Sequence, residues 1–455
     1  MIRSILLLMI LMGSAVCQNA DAALPWTTEP GQLTADYWVD RTPDAEALLL
    51  DRQSIAVMNT RVLTEDPSMQ SLDRIPEALP GDQLRTRIQQ LGHLPDERFD
   101  VEGRQLSQRA RRKLQRTLAL DRLPASVEPR WALVTERSSL RSLPTRQRLT
   151  NRPGDHDLDR LQESTLFPGD AVAVVHTSRD RNWHFVISER YAAWIAASSL
   201  AFAEREIVVN FQRQEPAVVI HAAEARTVFD PASQRSDVID MGVRLPWQKD
   251  WPLDAAVSGQ LPLAHYVVTW PSRDRQGQLM LKPRLIPVTE PAGHEPLPYR
   301  RSTLLRQGFR FLGERYGWGH DFEGRDCSGF VSEVFRSVGI QLPRNTGDQA
   351  LSRTFQRQEL PASWHRSRRL EHLRSRSAGD LLYLPGHVMM LIGFVDGEPW
   401  VLHDAHTIRV AETGGTLRSL PLNGVVVTPL TPLLAETGEA LIDRLTASQR
   451  ILPAP

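Results

Sequence analysis

Two short runs decide how this chain reads: Arg315-Tyr316-Gly317-Trp318-Gly319-His320 and, shortly after, Asp326-Cys327-Ser328-Gly329-Phe330. The glycines before Cys327 suit a tight loop that feeds a helix. From Cys327 onward, Phe330, Val331, Val334, Phe335 and Val338 fall on one helical face, and Gly339 is a natural stop. Cys327 is therefore expected at a helix N-terminus, where free backbone N–H groups and the helix dipole favour a thiolate. A thiolate is the competent nucleophile for acyl transfer. Asp326 and Ser328 flank it at the same mouth, placed to meet a polar substrate, although Asp326 also has the chemistry of a simple helix cap.

A nucleophile needs a base, and the sequence offers one further on. Ala378-Gly379-Asp380-Leu381-Leu382-Tyr383 reads as a turn into a strand, followed by Gly386-His387-Val388-Met389-Met390-Leu391-Ile392-Gly393, a buried strand opening on His387. A third strand, Trp400-Val401-Leu402-His403-Asp404-Ala405, bears His403. Two adjacent antiparallel strands would let His387 face Cys327 while His403 orients the far ring nitrogen, the logic of a catalytic triad with histidine in third place. His406 lies three residues beyond His403 and would take that place if the strand register differed.

The chain holds two cysteines, Cys17 and Cys327. Arg3, the apolar run Ile5–Met12 and Ala20-Asp21-Ala22 together read as a secretory signal peptide over 1–22, too short to span a bilayer permanently. Export, into a Gram-negative periplasm, is the expectation. A lipoprotein anchored through Cys17 is the lesser reading, because Val16 stands where a small residue is wanted. With Cys17 removed, one thiol remains, and a single thiol cannot form a disulfide within the chain. The formal net charge is zero and the pI near 7.3, which argues against recruitment of nucleic acid or anionic membrane, and no later stretch is apolar enough for stable membrane insertion.

At 455 residues the chain is expected to be multidomain. Residues 23–127 read as a helical N-terminal region, with helical stretches at Asp44–Leu50 and at Gln105–Leu120, where Leu106, Ala110, Leu114 and Leu118 recur every fourth position. Short strands then follow in two consecutive groups, expected to form two small β-barrels over 128–205 and 206–290. The first group includes Trp131–Val134, Ala171–Val175, Trp183–Ile187 and Ala193–Ile195, with Trp183 and Trp194 as barrel core. The second includes Glu206–Phe211, Ala217–His221, Arg226–Asp230, Val238–Leu245 and Tyr266–Trp270. Pro283–Pro298 reads as a linker, residues 299–430 as an α+β unit, and 431–455 as a helical or loose tail. Asp155-His156-Asp157-Leu158-Asp159 lacks the spacing of a calcium loop and is expected to be solvated loop. Nothing resembles a phosphate-binding or dinucleotide-binding glycine loop, so no cofactor and no metal is expected.

The C-terminal unit resembles the NlpC/P60 family of papain-like cell-wall cysteine peptidases. The resemblance rests on Tyr316-Gly317-Trp318-Gly319, Asp326-Cys327-Ser328-Gly329, Leu342-Pro343-Arg344-Asn345-Thr346, Gly379-Asp380-Leu381-Leu382, His387-Val388 and Leu402-His403. Upstream, Asp36-Tyr37-Trp38, Leu140–Thr145 and Ser178–Trp183 resemble a subgroup with an N-terminal stabilising region and two bacterial SH3 (SH3b) barrels. The resemblance implies Cys327 as nucleophile, His387 as general base and His403 as its orienter. It further implies Tyr316 for the oxyanion, Asp326 and Ser328 for the free amino terminus of a wall peptide, and Thr346 near the substrate. The implied substrate is a peptidoglycan peptide such as L-Ala-γ-D-Glu-meso-diaminopimelate, cut between γ-D-glutamate and the diamino acid. A barrel wall closing the groove would enforce the free amine. His320, where relatives often carry glycine, would narrow the groove or charge it at low pH. Two other classes compete: a wall-binding scaffold with little activity, and an amidase or acyltransferase on another substrate.

Overall fold

The computed structural model describes residues 24–412 and 415–454; the expected signal peptide over 1–22, with Cys17, lies outside the described residues. The N-terminal part carries helices at Arg52–Glu65, Gly81–Leu91 and Gln108–Thr117. Two of them start on side-chain caps, Asp51 accepting from the Ser54 N–H and Ser107 from the Ala110 N–H. Leu106, Leu114 and Leu118 of the expected stripe are buried. Asp44–Leu50 is not helical. Asp44 turns with φ +51°, Leu50 bridges to Tyr299, and the helix waits for the Asp51 cap.

Residues 130–202 form one antiparallel seven-stranded sheet. Its order is Gln162–Leu166, Ser138–Arg141, Ala192–Ala196, Trp183–Ile187, Ala171–Thr177, Arg130–Val134, Leu200–Phe202. Trp183 and Trp194 are core, and the Trp194 ring meets Phe185 edge-on at 5.5 Å. The turn Pro168-Gly169-Asp170 is present, with Gly169 at φ +88° and the Asp170 carboxylate accepting the Phe167 N–H.

The segment 206–290 divides into three small sheets, not one closed one. The strand expected at Arg226–Asp230 is instead Glu224–Arg226, and two further expectations fail here. Arg205–Asn210 is a helix whose Val208 faces the core, so the β-branched run at 207–209 was a misleading strand signal. Pro283–Pro298 is not a linker throughout, because Leu279–Pro287 pairs with His265–Arg273 as an isolated two-stranded ribbon. Outside the contacts of Trp247 with Val268 and of Val228 with Leu285, the outer edges of the ribbon are unpaired, which accommodates Pro283 and Pro287.

The C-terminal unit is built on a six-stranded antiparallel sheet. Its order is Phe355–Glu359, Ala447–Pro453, Leu381–Leu384, His387–Val395, Glu398–Ala405, Gly424–Pro429. The helix Cys327–Ser337 packs on one face, placing Phe330, Val331 and Val334 in one cluster with Val388, Met390 and Leu402. Met389, Leu391 and Val401 point to the other face, against Leu433, Leu441 and Ile442. That alternation is why the strand His387–Val395 is apolar throughout. The expected tail is also corrected: Ala447–Pro453 is an interior strand of this sheet.

Candidate active site

Asp326 is the N-cap of the Cys327–Ser337 helix, its side chain accepting the Gly329 N–H at 2.8 Å. The cap fixes the first turn and sets Cys327 beneath the mouth formed with the sheet. Cys327 is 6 % exposed. Its sulfur lies 3.4 Å from Thr346 Oγ1 and 4.0 Å from the carbonyl oxygen of Gly386, the residue before His387. Burial, then the Asp326 charge, pushes the thiol up to about 11, against smaller opposing contributions from Thr346 and the Val388 N–H. Burial thus works against the thiolate that the helix start favours.

His387 and His403 sit on adjacent strands, as their register requires, with His387 Nε2 2.9 Å from His403 Nδ1. His403 Nε2 lies 3.0 Å from Thr428 Oγ1 on the next strand. Burial pushes His387 down to about 4 and His403 well below its ordinary value. Burial thus favours the neutral form of both imidazoles. His406 does not compete for this position. It is 3.4 Å from Asp157, with its ring 5.8 Å from that of Tyr316.

Tyr316 is buried, and burial first, then the Cys327 and Asp326 charges, holds its phenol well above its usual range, so the O–H stays protonated. Ser328 donates to Asp326 at 3.2 Å. Asp326 is heavily engaged. Besides Gly329 and Ser328 it accepts the Gly319 N–H at 3.0 Å and both terminal nitrogens of Arg344, at 3.1 and 2.8 Å. Burial alone would raise its carboxyl, but the Arg344 guanidinium overrides this and brings it to about 2.

Arg344, which lies inside a quoted motif but was assigned no role, is the hub. It also donates to Ser328 Oγ at 3.0 Å, to Ser164 of the barrel at 2.7 Å and to His320 Nδ1 at 3.1 Å. A guanidinium has no acceptor, so His320 Nδ1 accepts and Nε2 donates to Glu333 at 3.1 Å. His320 is 5 % exposed, with both ring nitrogens engaged by Arg344 and Glu333. Burial, then the Arg344 charge, keeps its pKa well below the ordinary value.

Two barrel residues were missed. The Tyr191 hydroxyl donates to Glu163 at 2.5 Å, and Glu163 lies within electrostatic reach of Arg344. The strand that bears Glu163, Gln162–Leu166, leans on the motif loop: Trp318 Nε1 donates to the Gln162 carbonyl at 3.0 Å, and the Gln162 amide to the Gly319 carbonyl at 2.8 Å. Its polar sequence gave no strand alternation, so the signal was a carboxylate in an unassigned segment. The expected solvated loop at 155–159 is likewise a joint. Asp159 is fully buried against Arg141, and Asp157 pairs with Arg315 and His406 of the C-terminal unit.

A buried thiol at a capped helix start, beside the strand that opens on His387, itself linked to His403, is an arrangement in keeping with a cysteine peptidase. Comparison with known proteins agrees: residues 313–420 match the NlpC/P60 family and residues 149–196 an SH3 domain of SH3b1 type. The chain carries an NlpC/P60 domain behind an SH3b domain. It is similar to gamma-D-glutamyl-L-lysine dipeptidyl-peptidase of Bacillus subtilis (strain 168), 44% identical over 48 residues, which is 10% of this chain and 16% of that protein. The same-named protein of Bacillus cereus (strain ATCC 10987 / NRS 248) is 26% identical over 164 residues, 36% of this chain and 44% of that protein. The chain thus spans less than half the length of each of these curated relatives in its match. In fold it is similar to an NlpC/P60 endopeptidase from Photobacterium damselae subsp. piscicida, with a TM-score of 0.73 at 16% identity, covering 92% of this chain and 97% of that one.

Proposed function

We propose that this chain is an exported cysteine endopeptidase that hydrolyses the bond between γ-D-glutamate and the diamino acid in peptidoglycan stem peptides or released muropeptides. The supporting observation is the relay from His387 to His403 to Thr428 beside the Cys327 mouth. Its simplest tautomer set has His387 Nε2–H donating to His403 Nδ1, and His403 Nε2–H donating to Thr428. His387 Nδ1 is then unprotonated and free to act as base.

As the Cys327 sulfur attacks the γ-carbonyl carbon of D-glutamate, its proton passes to His387 Nδ1. Negative charge develops on the carbonyl oxygen, for which the Tyr316 hydroxyl and the N–H groups at the helix start are the donors. The imidazolium then protonates the departing amine of the diamino acid, leaving a thioester on Cys327. Water, deprotonated by His387, releases the acid and restores the thiol. Thr346 holds the sulfur in place. Asp326 and Ser328, fixed by Arg344, shape the end of the groove that receives the peptide's amino terminus. The Glu163 carboxylate, presented by the SH3b domain with Tyr191, supplies a counter-charge for the free ammonium. The second small-sheet segment, 206–290, is read as a second SH3b-type module, and residues 24–127 as the region that steadies both.

The test is incubation of the full chain with L-Ala-γ-D-Glu-meso-diaminopimelate and its N-acetylated form, beside Cys327→Ala, read by mass spectrometry. Release of L-Ala-D-Glu from the free-amine peptide alone, and only with Cys327 present, is the expected result. Cleavage of both peptides would move the reading to intact wall. No cleavage of either, with retained binding to sacculi, would replace the enzyme with a wall-binding module.

A further inference from the structure

A cavity of about 350 Å³ lies at the C-terminal half of the nucleophile helix, away from Cys327, where four parts of the chain meet. Leu63 reaches it from the N-terminal helices, Leu166 from the SH3b domain, Val208 and Val243 from the second small-sheet segment, and Leu342 from the C-terminal unit. Its volume is at the small end for ligand sites, which run from roughly 300 to 1,000 Å³.

Most charges in its wall already have partners. Asp170 accepts the Phe167 N–H and the Gln212 amide, Arg213 is paired with Asp73, and Arg244 with Glu215. Arg336 donates to the Met241 carbonyl and lies over the Phe167 ring. Two heads are left over. Among the described residues, neither the Glu189 carboxylate nor the Arg190 guanidinium has a hydrogen-bond or ion-pair partner, and both side chains are half-buried in the cavity wall. They are consecutive residues of the bend before Tyr191, and although Arg190 and Arg213 lie within electrostatic reach of Glu189, no ion pair forms between them. Burial acts on both, holding the Glu189 carboxyl above its usual range and, with help from Arg336, pushing Arg190 down to about 10.

A chamber walled by both aliphatic and charged side chains, with two heads of opposite sign that make no hydrogen bond or ion pair, is complementary to a molecule that carries both charges. We propose that this cavity binds a small zwitterion, a free amino acid or a dipeptide with an apolar side chain, its carboxylate on Arg190 and its ammonium on Glu189. A simple anion would satisfy Arg190 but place a second negative charge beside the half-buried Glu189, which disfavours it relative to a zwitterion. The site is separate from the groove and does not depend on the peptidase reading.

The probe is L-alanyl-L-leucine, offered to the full chain carrying Cys327→Ala so that nothing turns over. Phenylglyoxal labelling of Arg190, located by peptide mass spectrometry, needs no change to the cavity itself. The dipeptide should protect Arg190, whereas N-acetyl-L-alanyl-L-leucine, L-alanyl-L-leucinamide and inorganic phosphate should not. Titration calorimetry should then show affinity falling about tenfold or more in Arg190→Gln and in Glu189→Gln, and unchanged in Glu163→Gln. Equal protection by phosphate or by the acetylated peptide would overturn the proposal in favour of a plain anion site. Binding that is lost in Glu163→Gln but kept in the two cavity variants would place the dipeptide in the groove. No protection by any probe would mean that the cavity holds no such ligand.

Discussion

Gly329 and His320 constrain each other. A Cβ on Gly329 would come 2.4 Å from the His320 ring, with the helix backbone fixing one partner and Arg344 and Glu333 holding the other. Gly329→Ala should therefore cost about 1–3 kcal/mol, the usual range for overpacking. Chemical denaturation would read this, and His320→Gly in the same chain should return most of it. A fully stable Gly329→Ala would show that the ring moves freely. The same histidine sets a pH response. Unfolded, His320, His387 and His403 titrate near 6.5, whereas in the fold all three are held below that value. The unfolded state therefore takes up protons first as pH falls. Stability is full above about 6.5 and should drop below it, by up to about 1.4 kcal/mol per pH unit for each proton. His320→Gln keeps an acceptor for Arg344 and removes one of these protons, so its loss of melting temperature between pH 6.5 and 4.5 should be shallower. Parallel curves would mean that His320 stays neutral in both states. At this scale the sequence was most legible for residues whose roles are local. The Asp326 cap and the helix face behind Cys327 follow from neighbours in the chain. Arg344 and Glu163 escaped because their partners lie 18 and 28 residues away in sequence, beyond any helical or strand period.

At the scale of elements, the strands with clean apolar runs were readable: Trp183–Ile187, His387–Val395 and Glu398–Ala405 appear close to where periodicity put them. The failures share a physical cause. Arg205–Asn210 has strand-forming residues but is held as a helix by tertiary packing, and Ala447–Pro453 is too short and too mixed to announce that it pairs with segments some 60 and 90 residues back. That strand lies between Phe355–Glu359 and Leu381–Leu384, and its Gln449 amide donates to the Gln349 and Ser352 carbonyls. A chain ending after Leu445 should lose the ladder on both sides and unfold the sheet that carries His387. Limited proteolysis and circular dichroism would read this as collapse of the whole C-terminal unit. A truncated chain with an intact spectrum and intact protection would assign Ala447–Pro453 a merely peripheral role.

At the scale of the whole molecule, three parts are joined through buried charge. Asp240 accepts from Arg137, beside the Ser138–Arg141 strand of the seven-stranded sheet, at 3.1 Å and from Arg325 of the C-terminal unit at 2.7 Å, and Arg325 also pairs with Glu333 and Glu314. Arg137 donates in addition to the carbonyls of His320 and Gly324. Removing one member strands the others in low dielectric, so Asp240→Leu should cost on the order of 3–5 kcal/mol. Scanning calorimetry should show a lower transition and, where the parts then melt separately, a split one. An unchanged transition would show that apolar contacts alone hold the assembly. The interior position of Ala447–Pro453 has one more consequence, for the order of biosynthesis. Chains grow from the N-terminus, so Cys327, His387 and His403 have all emerged before the strand that completes their sheet exists. The sheet that carries His387 and His403 is therefore still missing an interior strand, the one that joins Phe355–Glu359 to Leu381–Leu384, when all three side chains have left the ribosome.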